Sequence, residues 1–151
     1  MSDEAVLIPG QVAEKFLLHA QSPRNLGAVA LANGSAEMTG QCGDSVTVTI
    51  RVDDERISDI GVIPRGCVYT VVCASALSEL ANGRTLDSAL QLNPEDVAHE
   101  LGGLPEDHLH CARLVVNTLG EAVSDYYFRM TGSGLPAVAL REGRRADDVS
   151  P

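Results

Sequence analysis

The chain has 151 residues, a length that suits one domain with a real hydrophobic core and leaves no room for a second. Apolar residues make up 44% of it and charged residues 21%, the balance of a folded globular protein. The formal net charge is −10 and only 11 residues are Lys or Arg, which excludes nucleic acid as an expected partner, because phosphate binding depends on clustered cations.

The sequence also indicates a compartment. No stretch approaches the roughly 20 apolar residues of a membrane span, and the N-terminus, Met1-Ser2-Asp3-Glu4, is acidic where a secretory signal would be basic. We therefore expect a cytoplasmic protein without a membrane partner. In such a reducing compartment, the four cysteines are expected to bind metal or do chemistry rather than to form disulfides.

The predicted elements begin with a short amphipathic helix over residues 11–20. A strand around 35–39 precedes the clearest strand, 44–52, in which apolar and polar residues alternate strictly. A polar turn at 53–55 leads into a returning strand, whose broken alternation predicts a bulge near Ser58-Asp59.

From Cys67 onward the pattern is helical. One helix runs from Cys67 to a stop at Asn82-Gly83, and a short one follows over residues 85–92. Another begins at Asn93-Pro94, and the longest begins near Pro105 with a wide apolar stripe.

Strands first and helices after them predict an α+β domain, a small three-stranded antiparallel sheet with helices packed on one face. We assign residues 1–130 to this domain. Residues 131–151 lack an apolar period and are predicted to form a weakly ordered C-terminal tail.

Three cysteines fall at the ends of predicted elements. Cys42 precedes the best strand, Cys67 lies between the returning strand and a helix, and Cys111 follows His110 in the opening turn of the longest helix, where the macrodipole favours thiolate. The hairpin brings Cys42 and Cys67 to the same edge of the sheet. Convergence of all three thiols is therefore expected.

Three thiolates with Asp44 or His110 beside them make a ligand set that suits Zn²⁺ or an iron-sulfur cluster and excludes Mg²⁺ and Ca²⁺. The spacing is not the paired Cys-x-x-Cys of zinc ribbons or ferredoxin loops. Ligand type alone leaves zinc and cluster both open.

Four patches in order resemble the N-terminal scaffold domain of the NifU/IscU family: His19-x-x-x-Pro23-Arg24-Asn25, Cys42-Gly43-Asp44, Gly66-Cys67 and His110-Cys111. The resemblance covers roughly residues 11–128 and implies an IscU/SufE-like fold. It implies a non-enzymatic scaffold that assembles nascent [2Fe-2S] clusters and transfers them to acceptor proteins.

The resemblance also implies the ligands and partners. The cluster, or Zn²⁺ in the isolated protein, would be held by Cys42, Asp44, Cys67, His110 and Cys111. The implied partners are a cysteine desulfurase that delivers sulfur as persulfide, an iron donor or frataxin-like protein and apo iron-sulfur acceptor proteins, and a homodimer is allowed. A readily exchanged carboxylate suits a cluster that must leave, so we expect Asp44 to tune lability.

One patch departs from the family pattern. The segment that commonly reads Leu-Pro-Pro-Val-Lys is Leu104-Pro105-Glu106-Asp107-His108 here, so handover to an Hsp70-type chaperone is not expected from this sequence. His108 is read as a surface residue more readily than as a titratable donor near the site.

The remaining candidates are read as follows. Cys73 is predicted to be a packed core thiol facing away from Cys67. His19 either helps to order the loop before Pro23 or makes a local hydrogen bond, and His99 is expected to face solvent.

Two rival functions use the same residues. One is a structural zinc module that keeps its metal and gains its fold from it. The other is a cysteine enzyme or persulfide-accepting sulfur-transfer protein with one activated thiol, such as Cys111 beside His110. Adjacent helical residues diverge by about 100°, which predicts that His110 and Cys111 do not pair well.

Overall fold

The elements follow the predicted order. The computed structural model describes residues 11–132, except the side chains of residues 11–13, and contains α1 (Gln11–Gln21), β1 (Gly34–Thr39), β2 (Ser45–Asp53), β3 (Arg56–Arg65), α2 (Val68–Ala81), α3 (Leu86–Ala89), α4 (Pro94–Glu100) and α5 (Leu109–Thr131). The helix predicted from Pro105 opens as a 3-10 turn, Glu106–His108, before α5. Residues 133–151 lie outside the described part, so the predicted tail stays a prediction. No helix within residues 11–132 is long and apolar enough to cross a bilayer.

The three strands form one antiparallel sheet in the order β1-β2-β3, which confirms the predicted fold class. The tight hairpin between β2 and β3 turns at Asp54 and Glu55, whose φ angles of 55° and 61° fit a two-residue primed turn. Arg51 pairs with Asp59 and Val52 with Ile57, so Ser58 is the extra residue of the predicted bulge.

The core lies between one face of the sheet and the long helices α2 and α5. The four apolar residues of β2 that alternate in the sequence are all buried there: Val46, Val48, Ile50 and Val52. The apolar stripe of α5 packs onto the same face, and Ala112, Val115 and Leu119 are each almost completely buried. Helices therefore cover one face, as predicted.

A loop lies against β3 and the other face of the sheet. The Val62 N–H donates to the Asn25 carbonyl at 2.8 Å, and the Val29 N–H donates to Thr49 Oγ1 at 2.9 Å. A Cβ on Gly61 would lie 2.1 Å from the Gly27 carbonyl oxygen, so this close approach requires glycine at position 61.

Candidate metal centre

Three element ends meet at one edge of the sheet. The register pairs Ser45 with Arg65, which places the residue before β2, Asp44, beside the segment that follows β3 and carries Cys67. The first turn of α5 brings Cys111 to the same place. The ligand atoms of Asp44, Cys67 and Cys111 all lie within 4.8 Å of one another. The predicted convergence of Cys67 and Cys111 is confirmed.

Two hydrogen bonds hold the Asp44 carboxylate in place, and the absence of a side chain at Gly66 leaves room for it. Its Oδ2 accepts the hydroxyl proton of Thr70 at 2.5 Å and the backbone N–H of Cys67 at 3.3 Å. A Cβ on Gly66 would lie 2.3 Å from Asp44 Cγ, so only glycine leaves room for this carboxylate. The Thr70 hydroxyl bond, followed by the bond from Cys67, holds the pKa of Asp44 below its ordinary value, against the opposing effect of burial.

The two thiols of this trio stand at helix N-termini but differ in exposure. Cys67 is the exposed N-cap residue of α2, whereas Cys111 lies in the first turn of α5 with 1% of its surface exposed. Burial raises the pKa of Cys111 to about 11, and the neighbouring Cys67 and Asp44 add to the rise against a lowering bond from Thr70. In the metal-free chain this raised pKa favours the protonated thiol at Cys111 rather than the thiolate expected at a helix N-terminus.

Cys42 joins the site through His110. Cys42 is exposed, and its Sγ lies 3.3 Å from His110 Nε2. The same nitrogen lies 3.6 Å from Cys111 Sγ. His110 and Cys111 are therefore in contact although they are adjacent in the helix, but this nitrogen lies closer to Cys42 than to Cys111.

All five predicted site residues thus lie in one connected group. Asp44, Cys67 and Cys111 form its compact part, and His110 links Cys111 to Cys42, which stands outside the 4.8 Å trio. Both candidates for a non-thiolate ligand remain next to thiols. Their assignment as ligands stays a prediction, but thiol, carboxylate and imidazole groups in this arrangement suit Zn²⁺ or iron.

His108 does not lie free on the surface, so the surface reading is wrong. Its ring stacks on Tyr69 with a centroid distance of 3.7 Å and an interplanar angle of 12°, and its centroid lies 6.0 Å from that of His110. Its Nδ1 is buried with no hydrogen-bond partner within residues 11–132. His108 therefore packs between α2 and the site.

The other three candidates have structural surroundings. Cys73 is fully buried, as predicted, and desolvation is the main cause that raises its pKa well above the ordinary value. His19 is 7% exposed and its Nδ1 lies 2.7 Å from Ser75 Oγ, which also accepts the Arg24 N–H at 2.8 Å. Because His19 and the Arg24 backbone bind the same Ser75 hydroxyl, the structure supports the interpretation that His19 helps to order the loop and not the one in which it makes a local hydrogen bond. His99 is exposed, as predicted.

Sequence reasoning missed the polar residues of α2 that organise this region. Thr70 contacts the site, Ser75 binds His19, and Ser78 Oγ accepts from Asn25 Nδ2 at 2.9 Å. The available signal was the presence of one Thr and two Ser residues in a helix whose other residues are mostly apolar.

The fold and the site define a class before any relative is considered: a small α+β domain that presents thiols, a carboxylate and an imidazole at the surface. Residues 11–132 match the family described as NifU-like N terminal domain. The chain therefore belongs to the NifU/IscU scaffold family, as its four signature patches predicted.

Characterised relatives agree with this placement. The chain is 38% identical over 121 residues to the iron-sulfur cluster assembly scaffold protein IscU 1 of Archaeoglobus fulgidus. The aligned region covers 80% of this chain and 78% of the relative. It is 37% identical over 119 residues to the scaffold IscU of Aquifex aeolicus, covering 77% and 76%. The fold resembles the crystal structure of a NifU-like N-terminal protein from Brucella abortus with a TM-score of 0.60 at 16% identity, covering 83% of this chain and 96% of that one.

Proposed function

We propose that this protein is a scaffold on which a [2Fe-2S] cluster is assembled and from which the cluster passes to acceptor proteins. The cluster is cargo here, not a resident cofactor. The observation that carries the proposal is the trio of Asp44, Cys67 and Cys111 within 4.8 Å, joined to Cys42 through His110. Relatives whose names state cluster assembly support it.

The site suits a cluster that is bound temporarily. Cys42 and Cys67 are exposed, so an acceptor protein can reach the ligands directly. A carboxylate exchanges more readily than a fourth thiolate would, and Asp44 supplies one. The protein's part is to hold iron and sulfide in place rather than to turn over a substrate, so we assign it no enzymatic activity.

Cys42 is an exposed entry point for sulfur. In the proposed step, its thiolate attacks the terminal sulfur of a cysteine desulfurase persulfide, a new S–S bond forms at Cys42, and the desulfurase cysteine leaves as thiolate. Reduction of this persulfide to sulfide takes two electrons from a reduced electron carrier. Iron arrives from an iron donor or frataxin-like protein, and apo iron-sulfur proteins receive the product.

Anaerobic reconstitution tests this proposal. The purified chain is mixed with iron, cysteine, a cysteine desulfurase and a reductant, and visible absorption follows cluster formation before an apo-ferredoxin is added. A chromophore that forms on the chain and then appears on the ferredoxin is the expected result. Bound zinc that iron and sulfide never displace would contradict it and favour the structural zinc module.

Single Cys→Ser variants separate a cluster site from a one-thiol sulfur carrier. Loss of Cys42, Cys67 or Cys111 should each abolish a stable chromophore, because all three are proposed ligands. Cys73→Ser is the matched control, since Cys73 is fully buried in the core and should leave the chromophore in place. If Cys42 alone proves necessary for accepting sulfur and no variant affects a cluster, the sulfur-transfer function is correct.

The packing of the core argues against the structural zinc module. The apolar residues of β2, α2 and α5 form one continuous buried cluster within residues 11–132, and of the five proposed ligands only Cys111 belongs to it. Zinc modules that unfold without metal lack such a core. We therefore expect the chelator-treated chain to remain folded, with unchanged far-UV circular dichroism.

A further inference from the structure

The Thr70 hydroxyl lies among the three groups of the compact trio. Thr70 Oγ1 is 2.5 Å from Asp44 Oδ2, 3.6 Å from Cys111 Sγ and 3.9 Å from Cys67 Sγ. The residue itself is completely buried. One hydroxyl group in the first turn of α2 thus contacts all three side chains.

The geometry determines how this hydroxyl uses its single proton. The Thr70 hydroxyl can donate to Asp44 Oδ2 and to Cys111 Sγ, and because the contact with the carboxylate is much the shorter, Asp44 is the main acceptor of its single proton. Within the described residues, the hydrogen bonds from Thr70 and from the Cys67 N–H both go to Oδ2 of Asp44. These two bonds fix the orientation of the Asp44 carboxylate next to Cys67 and Cys111.

Such a contact is costly to remove from a buried place. A carboxylate that loses a hydrogen-bond donor gains rotational freedom. Metal binding must then order the carboxylate, and the lost entropy weakens the metal affinity. Hydrogen-bond partners of metal ligands typically account for about 10-fold to 100-fold in metal affinity.

We propose that Thr70 is a positioning residue of the metal site: its hydroxyl holds the Asp44 carboxylate between Cys67 and Cys111 before metal arrives, so that the three ligands are already in place. Thr70 need not touch the metal itself. This inference deepens the proposed function, because it rests on Asp44, Cys67 and Cys111 being ligands.

Two substitutions isolate the hydroxyl. Thr70→Val keeps the shape of the side chain and removes the hydroxyl, whereas Thr70→Ser keeps the hydroxyl. Zinc affinity of the full chain is measured by competition with a chromophoric chelator, without iron or partner proteins. We expect Thr70→Val to weaken zinc binding about 10-fold or more and Thr70→Ser to stay close to wild type. Equal affinities for Val and wild type would overturn the proposal.

A double-mutant cycle identifies the route of the effect. If Thr70 acts by positioning Asp44, Thr70→Val should cause little further loss of zinc affinity in an Asp44→Ala background. A full loss in both backgrounds would show that Thr70 acts through packing and would overturn the positioning role. Should Thr70→Val fail to fold, the pair Thr70→Ser and Thr70→Ala gives the same comparison.

Cobalt spectra separate this inference from the function on which it rests. Wild-type chain loaded with Co²⁺ should show thiolate-to-cobalt charge transfer and tetrahedral d–d bands, and Thr70→Val should shift the d–d bands whereas Thr70→Ser should not. A wild-type spectrum without thiolate charge transfer would refute the ligand set, and with it both proposals. A normal wild-type spectrum that Thr70→Val leaves unchanged would refute the role of Thr70 alone.

Discussion

Cys42 Sγ lies 3.3 Å from His110 Nε2, although 68 residues separate the two in the chain. The same nitrogen lies 3.6 Å from the Sγ of Cys111, which is almost completely buried. His110 therefore stands between an exposed thiol and a buried one. This difference in exposure has a direct chemical consequence for the metal-free protein.

The four thiols should react with iodoacetamide in a fixed order in the metal-free chain. Cys42 and Cys67 are exposed and should be alkylated first, Cys111 more slowly because burial raises its pKa to about 11, and Cys73 only after unfolding. Peptide mass spectrometry over a time course at pH 8 measures the order. Modification of Cys73 as fast as Cys42 in folded protein would contradict the packing described here.

Alkaline pH should destabilise the metal-free chain. Burial raises the pKa of Cys111 to about 11 and that of Cys73 well above its ordinary value, whereas both thiols lose their protons near about pH 8.5 when unfolded. Between these limits the unfolded chain binds fewer protons than the folded one, so the free energy of unfolding falls as pH rises from about 8.5 to about 11. Urea titrations at four pH values measure the slope.

The control for that slope is a Cys73→Ala, Cys111→Ala double variant. Tyr127, whose pKa burial raises to about 12, still contributes above about pH 10 in both proteins. The difference between variant and wild type should therefore be clearest between about pH 8.5 and 10. If the free energy of unfolding had the same pH dependence in the variant and in wild type in that interval, the prediction that burial keeps the two thiols protonated would be wrong.

Gly66→Ala should weaken metal binding without unfolding the chain. The new Cβ would lie 2.3 Å from Asp44 Cγ, so the carboxylate must move away from Cys67 and Cys111. We expect zinc affinity to fall about 10-fold or more. Gly40→Ala is the matched control in the same region, because its Cβ would meet Leu114 at an ordinary 3.4 Å. Equal effects of both substitutions would refute the special role of position 66.

His19→Ala should lower stability and leave the metal site intact. The imidazole is buried against Ser75 and lies 3.5 Å from the partly exposed Glu100, so its removal takes a hydrogen-bond partner from the buried Ser75 hydroxyl. We expect a loss of about 1–3 kcal/mol in the free energy of unfolding and an unchanged cobalt spectrum. His99→Ala, at an exposed position of α4, should stay within about 0.5 kcal/mol of wild type.

Asp44→Ala should release an assembled cluster more slowly than wild type. The carboxylate is the most exchangeable of the proposed ligands, and its removal leaves the tighter thiolates and His110 to hold the cluster. The decay of visible absorption after dilution into chelator measures the rate. Faster loss from the variant would refute the idea that Asp44 tunes lability.

The local sequence determined most of the fold. Strict alternation defined β2, broken alternation in β3 located the bulge at Ser58, and the apolar stripe of α5 identified the face that covers the sheet. Each is a periodic pattern that backbone geometry imposes on neighbouring residues, so it can be recognised without knowing the rest of the structure. The order of the strands and the meeting of Cys67 with Cys111 followed from these elements.

The contacts around the site were decided by tertiary structure alone. The Thr70 hydroxyl meets Asp44 across 26 residues, and His19 meets Ser75 across 56. The burial that raises the pKa of Cys111, and the contact between His110 and Cys42, likewise arise only after α2 and α5 pack on the sheet. No sequence period specifies such distances, because they depend on the relative placement of whole elements and not on the residues next to each side chain.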